Sequence, residues 1–152
     1  MDDSADARPC GVGIRGVAMT IDSAVWLLLF VVAVSAVGAL TGQMETTATG
    51  VETDLSGPPA ALGLLLWLGL SVGYHTLFEW RFGKTAGKHL VGIRVTGDDG
   101  SPPSLRAASV RNVLRIVDWL PLFYAVGIAA LLTSDRHRRL GDRLGETLVV
   151  RV

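Results

Sequence analysis

The sequence predicts an all-α membrane protein: a small bundle of two full transmembrane helices plus a Pro-broken third helical segment, hairpin or kinked span, with a short cytoplasmic two-strand β element. Three observations lead there. The run from Val17 to Leu40 carries one charge, Asp22, and a helix needs about 20 apolar residues to cross a bilayer core. The run from Ala60 to Phe78 carries none. A further apolar run, about 105–133, is interrupted by Arg111, Arg115, Asp118 and Pro121.

Bulk composition agrees. The chain has 152 residues, 49% of them hydrophobic, with mean hydropathy +0.42. That length suits one domain, and long charge-poor runs point to a membrane bundle. Fourteen basic residues balance fourteen acidic ones, so no polyelectrolyte partner such as nucleic acid is implied. Cys10 is the single cysteine, which excludes an intrachain disulfide and a cysteine metal cluster.

Residues 1–13 read as a short disordered tail, small and polar with Pro9, and 14–152 as the transmembrane domain. The start is acidic, with Asp2, Asp3 and Asp6, and the apolar run that follows is too long for a signal peptide. A retained first helix over about 16–40 is expected. Residues 41–58 hold Glu45, Glu52 and Asp54 without a Lys or Arg, and read as a loop closing on Pro58-Pro59. The second helix covers about 59–79, with proline tolerated in its first turn.

Residues 80–106 turn basic: Arg81, Lys84, Lys88, Arg94 and Arg106 outnumber Asp98 and Asp99. Leu90–Thr96 reads as a strand, Gly97-Asp98-Asp99-Gly100 as a turn, and Ser104 as a cap for the next helix. Pro121 breaks that helix, and Leu122–Leu132 beyond it is too short to span alone. The tail carries Arg136, His137, Arg138, Arg139 and Arg143 and ends in a second strand, Thr147–Val152.

The bias of Lys and Arg toward the inner side sets a multi-pass orientation in the cell membrane. Loop 41–58 lies outside; the N-terminus and loop 80–106 are cytoplasmic. Three plain spans would put the basic tail outside, against the rule. A hairpin broken near Pro121 returns it inside, is the favoured reading, and lets the two strands meet.

Asp22 is the first candidate for function. An ionisable group in the apolar part of a membrane helix costs about 2.5–3.5 kcal/mol and calls for a partner. Arg15 lies seven residues earlier, about two turns or roughly 10.5 Å along a helix, and leans away toward the interface. Arg111 and Asp118 repeat that spacing, with Arg115 on the same face between them. If the two helices run parallel, Asp22 and Asp118 share a depth, with the arginines nearer the surface. Such a cluster can hold a proton or a small cation, or act as a static ion-pair lock.

The remaining motifs are weaker. Gly69 and Gly73 form a GxxxG pattern suited to helix packing. His75 and Glu79, four apart at the inner end of the second helix, read as an interfacial hydrogen-bonded pair rather than a zinc site. Gly83-Lys84-Thr85 resembles part of a phosphate loop, but the pattern needs glycine where Phe78 stands. Nucleotide hydrolysis is therefore excluded, and no Ser-His-acid arrangement stands out. The sequence points to no enzyme, no cofactor and no metal.

Several motifs taken together resemble one family. They are Arg15-x2-Ala18-x2-Ile21-Asp22; Gly83-Lys84-Thr85-Ala86-Gly87-Lys88 with Gly92-Ile93-Arg94-Val95; Arg111-x3-Arg115-x2-Asp118-x2-Pro121; and Arg139-Leu140-Gly141-Asp142 with Thr147-Leu148-Val149-Val150. Over roughly 12–152 the chain is similar to the RDD family of prokaryotic membrane proteins, named for one arginine and two aspartates. Arg15 and Asp22 match the first two; Asp118 is taken as the second aspartate, with Asp142 as its rival. The resemblance implies a membrane domain and raises transport, since transport of unidentified ligands and, for some members, sodium/proton exchange have been suggested.

Two functions stay open. One is a small ion-coupled transporter, as a homo-oligomer in the lipid bilayer, exchanging protons for a monovalent cation at Asp22 and Asp118 with Arg15, Arg111 and Arg115 tuning them. The alternative is a non-transporting membrane scaffold or regulatory module that binds another protein through its basic cytoplasmic face.

Overall fold

The computed structural model describes residues 10–118 and 140–151, the side chains of 117, 118, 140 and 141 excepted. The first long helix, α1, runs Val12–Thr41, so it starts inside the segment expected as tail. Gly42, at φ +71°, ends it in the left-handed conformation that glycine adopts without penalty. The second, α2, runs Pro58–Phe82. Its two leading prolines occupy the first turn, where a missing N–H leaves nothing unpaired. Gly83, at φ +69°, closes it by donating its N–H to the Glu79 carbonyl at 2.8 Å. Both helices are long and apolar enough to cross a membrane.

The chain divides into two compact units, residues 23–73 and residues 1–22 with 74–152. In the first of these, the expected loop 41–58 contains a hairpin. Strands β1 (Met44–Thr47) and β2 (Gly50–Thr53) pair antiparallel, from Met44↔Thr53 to Thr47↔Gly50. Their polar sequences hide the alternation that marks a half-buried strand. The hairpin folds back on α1 at Gly38, where a Cβ would overlap the Thr53 methyl group. Deeper in this unit, the Trp67 indole N–H donates to the Trp26 carbonyl at 3.0 Å, and its ring meets Trp26 and Phe30 edge to face.

The other unit contains α3 (Ala86–Leu90), β3 (Ile93–Gly97), α4 (Leu105–Asp118), α5 (Leu140–Leu144) and β4 (Thr147–Arg151). The two expected strands do pair, antiparallel, from Ile93↔Arg151 to Gly97↔Thr147. The first begins three residues later than the sequence suggests, because α3 takes Ala86–Leu90 and Gly92, at φ +68°, redirects the chain. A two-stranded ribbon has two open edges, and both are covered here. Cys10 N–H donates to the Val149 carbonyl at 2.9 Å, and Val95 N–H donates to the Gly83 carbonyl at 2.6 Å. Ile93, Val95 and Val149 form a core with Cys10 and Ala18, flanked by Ile14 and Val91. Ser104 caps α4 as expected, its Oγ accepting from Ala107 N–H at 3.1 Å. The choice between a hairpin and a kinked span at Pro121 lies outside the described residues.

Candidate functional site

The site lies within the unit formed by 1–22 and 74–152 and has two parts. The first is built around Asp22, which is 2% exposed. Its Oδ2 accepts from the Thr85 hydroxyl at 2.6 Å. Its Oδ1 accepts from Gly87 N–H at 2.8 Å and from the Tyr74 hydroxyl at 3.1 Å. These donors come as a set because the chain between α2 and β3 is short. Gly83 ends α2, Thr85 is the N-cap of α3, and the first turn of α3 presents N–H groups that have no partner within the helix. The Asp22 carboxylate takes one of them, and the Tyr74 oxygen takes another, from Ala86, at 3.0 Å. Thr85 Oγ1 in turn accepts from Lys88 N–H at 3.4 Å. Only glycine fits at position 87: a Cβ would overlap the Ala18 carbonyl oxygen and lie 2.9 Å from Asp22 Cγ.

The second part is a chain of buried ions. Glu79, fully buried at the end of α2, accepts from Lys88 Nζ and from Asn112 Nδ2, the latter at 2.9 Å. Arg111 Nε lies 3.4 Å and Arg115 Nη2 3.8 Å from the same carboxylate. Arg111 Nη1 continues to Asp142 Oδ1 at 3.2 Å, and Asp142 Oδ2 meets Arg15 Nη1 at 2.7 Å. One line of alternating charge, Lys88–Glu79–Arg111–Asp142–Arg15, thus joins α3, α2, α4, α5 and α1. Burial pushes Lys88 down to about 7, with Glu79 opposing that shift and Arg111 and Arg115 adding to it.

Taking two charges out of water costs several kcal/mol per ion, and removing one partner of such a pair costs about 3–5 kcal/mol more. The cost is offset only in an arrangement of helices that keeps these partners together. The carboxylates of the network already hold two or more cationic partners each, which leaves little attraction for a further cation.

The candidate residues separate between these two parts. Arg15, Arg111 and Arg115 enter the ion chain, together with Asp142 and Glu79. Asp22 sits in its own cradle, where its described hydrogen-bond donors are neutral. Asp118 closes α4, and its side chain lies outside the described residues. His75 is buried one turn before Glu79 on the same helix, and the Glu79 carboxylate also takes partners from α3 and α4. A Cβ at Gly69 or Gly73 would meet nothing within 4 Å among the described residues; close approach occurs at Gly87, Gly38 and Gly63 instead. No group of three or more His, Cys, Asp or Glu among the described residues could hold a metal ion.

Lys88, Thr85, Gly87, Tyr74 and Asn112 are site residues beyond the candidates that the sequence offers. Three of them lie in the Gly83–Lys88 motif, so a signal was present there. Asn112 follows Arg111 on an amphipathic helix where polar residues are ordinary, and Tyr74 carries no local mark.

Residues 9–146 match the family model described as the RDD family. No curated protein and no solved structure matches the chain.

Proposed function

Because the chain belongs to the RDD family and two of its helices can cross a membrane, we propose that it is a multi-pass cell-membrane protein acting as a non-transporting interaction module. The basic segment 80–106 faces the cytoplasm, from its Lys and Arg content, and the N-terminus lies on the same side because two spans separate them. The observation that carries this reading is the saturation of the buried acids. Asp22 holds three donors, Glu79 four partners and Asp142 two guanidinium groups. A carrier must bind and release a cation at such an acid in every cycle, and partners that already fill its oxygens compete with that cation. Arg81, Arg94, Arg106, Arg143 and Arg151 are exposed, and such side chains suit acidic headgroups or an acidic protein surface.

Proton exchange for a monovalent cation is the second reading, and one observation favours it. Asp22 is held by neutral donors, so its protonation would leave no buried cation stranded. Reconstitution of the chain into sealed vesicles separates the two. The module should give no cation-dependent proton flux above that of empty vesicles. Flux that disappears in Asp22→Asn would overturn the module and establish exchange.

A further inference from the structure

Three cations converge on the single carboxylate of Glu79: Lys88 from α3, and Arg111 and Arg115 from α4. Arginine keeps its proton at any physiological pH, whereas a buried lysine gives it up readily. Lys88, 5% exposed, is therefore the member of this trio able to relieve the crowding of positive charge. Among the described residues, the other titratable and charged groups in its surroundings are His75 on α2, one turn before Glu79, Asp22 on α1, and Asp142 and Arg15, joined to it through Arg111. Lys88 also belongs to the segment whose Thr85 and Gly87 hold Asp22.

We propose that Lys88 is a proton-operated latch on α3: when neutral it leaves α3 seated against Glu79 and Asp22, and when it takes up a proton it drives α3 toward release. The direction follows from linkage. A seated Lys88 is dehydrated beside two guanidinium groups, in keeping with its displacement to about 7. A released one meets water and titrates in the ordinary lysine range, about 10.4. The released form binds the proton more tightly, so acid favours release and alkali favours seating. Between those limits the seated-to-released ratio rises about tenfold per pH unit. A neutral amine still donates a hydrogen bond to Glu79, so seating loses no contact. Release frees the Asp22 carboxylate and exposes the segment 84–90 at the basic face. The latch rests on the contacts of Lys88 and Glu79 and does not depend on which partner that face meets.

Amide hydrogen exchange of the full chain in phospholipid nanodiscs tests this, with rates corrected for the intrinsic effect of pH. The reporters are Gly87 N–H, bonded to Asp22, and His89 and Val91 N–H, bonded to the Thr85 and Gly87 carbonyls. Their protection should rise about tenfold per pH unit from about pH 7 to about pH 9. In Lys88→Met it should be independent of pH, and in Lys88→Arg low throughout. Flat protection in the parent chain, or a slope that persists in Lys88→Met, overturns the latch. Should both variants fail to insert, the parent chain still decides. It has two lysines, Lys84 and Lys88, hence two 15Nζ signals. Titration of the Lys88 signal near neutrality supports the latch, and a Lys88 charged up to about pH 10 overturns it.

Discussion

Arg15 and Asp142, 127 residues apart in sequence, meet at 2.7 Å between Nη1 and Oδ2 in a buried contact. The second oxygen of Asp142 takes Arg111 at 3.2 Å, so one carboxylate neutralises guanidinium groups from α1 and α4. Asp142→Asn keeps the shape and removes the charge, taking one counter-ion from each arginine while Arg111 keeps Glu79. The expected loss is about 3–5 kcal/mol, read as a fall in the unfolding midpoint of the purified chain. Arg15→Met combined with Asp142→Leu should recover part of that loss, because no buried charge of that pair is then left alone. An Asp142→Asn protein as stable as the parent would remove this contact from the fold.

Glu79 is the hub of the other half of the network. Glu79→Gln presents a neutral amide to Lys88, Arg111 and Arg115, so its cost should equal or exceed that of Asp142→Asn. Adding Lys88→Met to Glu79→Gln should offset part of the effect, since the two side chains are in direct contact and their contributions couple by about 0.5–3 kcal/mol. Accumulation in membranes and resistance to proteolysis would report both. Strict additivity of the two substitutions would show that Lys88 and Glu79 do not share their energy.

Glycines make a sharper comparison. Gly87→Ala pushes a methyl group into the Ala18 carbonyl and toward Asp22 Cγ. Main chain cannot yield cheaply, so a loss of about 1–3 kcal/mol is expected, together with faster exchange of the α3 amides. Gly69→Ala meets open space among the described residues and gains helix propensity, so it should be neutral or stabilising. The reverse ranking would mean that Gly69, not Gly87, is where another helix comes close, as in a pairing between two copies of the chain.

The edge contact of Cys10 predicts its reactivity. Its thiol is buried, and burial pushes its pKa up, with Arg15 and Arg151 opposing. Because the thiolate is the reactive form, alkylation should be slow at neutral pH and should gain speed at a higher pH than for a free thiol. Deleting residues 147–152 removes the Val149 carbonyl that Cys10 N–H bonds and should raise the rate. Equal rates before and after deletion would show that β4 does not cover Cys10.

Much of the fold was legible because the bilayer imposes a simple length rule: α1 and α2 stand out as long, charge-poor apolar runs. The β3–β4 pair was legible from apolar runs bounded by glycine. By contrast, β1 and β2 are four residues each and read Met-Glu-Thr-Thr and Gly-Val-Glu-Thr, too polar and short to signal a strand. Likewise α3 has five residues, less than two turns, so no periodicity can show it. The site was legible in its members and not in its pairings. Arg15, Asp22, Arg111 and Arg115 stand out as charges in apolar helices, but spacing along one helix cannot reveal that Arg15 meets Asp142. For Glu79, spacing along one helix points to His75, and it cannot reveal the further partners that α3 and α4 bring to the carboxylate. For Asp22 the sequence suggested a guanidinium or a free carrier, and neither describes a carboxylate held by a helix start and two hydroxyl groups.

That cradle gives the last prediction. Three donors aim at two oxygens of Asp22, and none of those donors is a cation. In Asp22→Asn the amide oxygen can occupy the Oδ1 position and keep Gly87 N–H and the Tyr74 hydroxyl. The amide nitrogen then faces Thr85 Oγ1, which must turn to accept from it while still accepting from Lys88 N–H. One hydrogen bond to a charged acceptor is lost and no buried cation is stranded. The expected cost is about 1–3 kcal/mol, clearly below that of Asp142→Asn. Thr85→Val removes the same bond from the other side and should cost a similar amount. The pair Asp22→Asn with Thr85→Val should therefore fall short of the sum of the single effects. Unfolding midpoints of these variants and of Asp142→Asn, taken in one lipid or detergent, rank the contacts directly. If Asp22→Asn proves as damaging as Asp142→Asn, a buried cation leans on Asp22 and the neutral cradle is wrong.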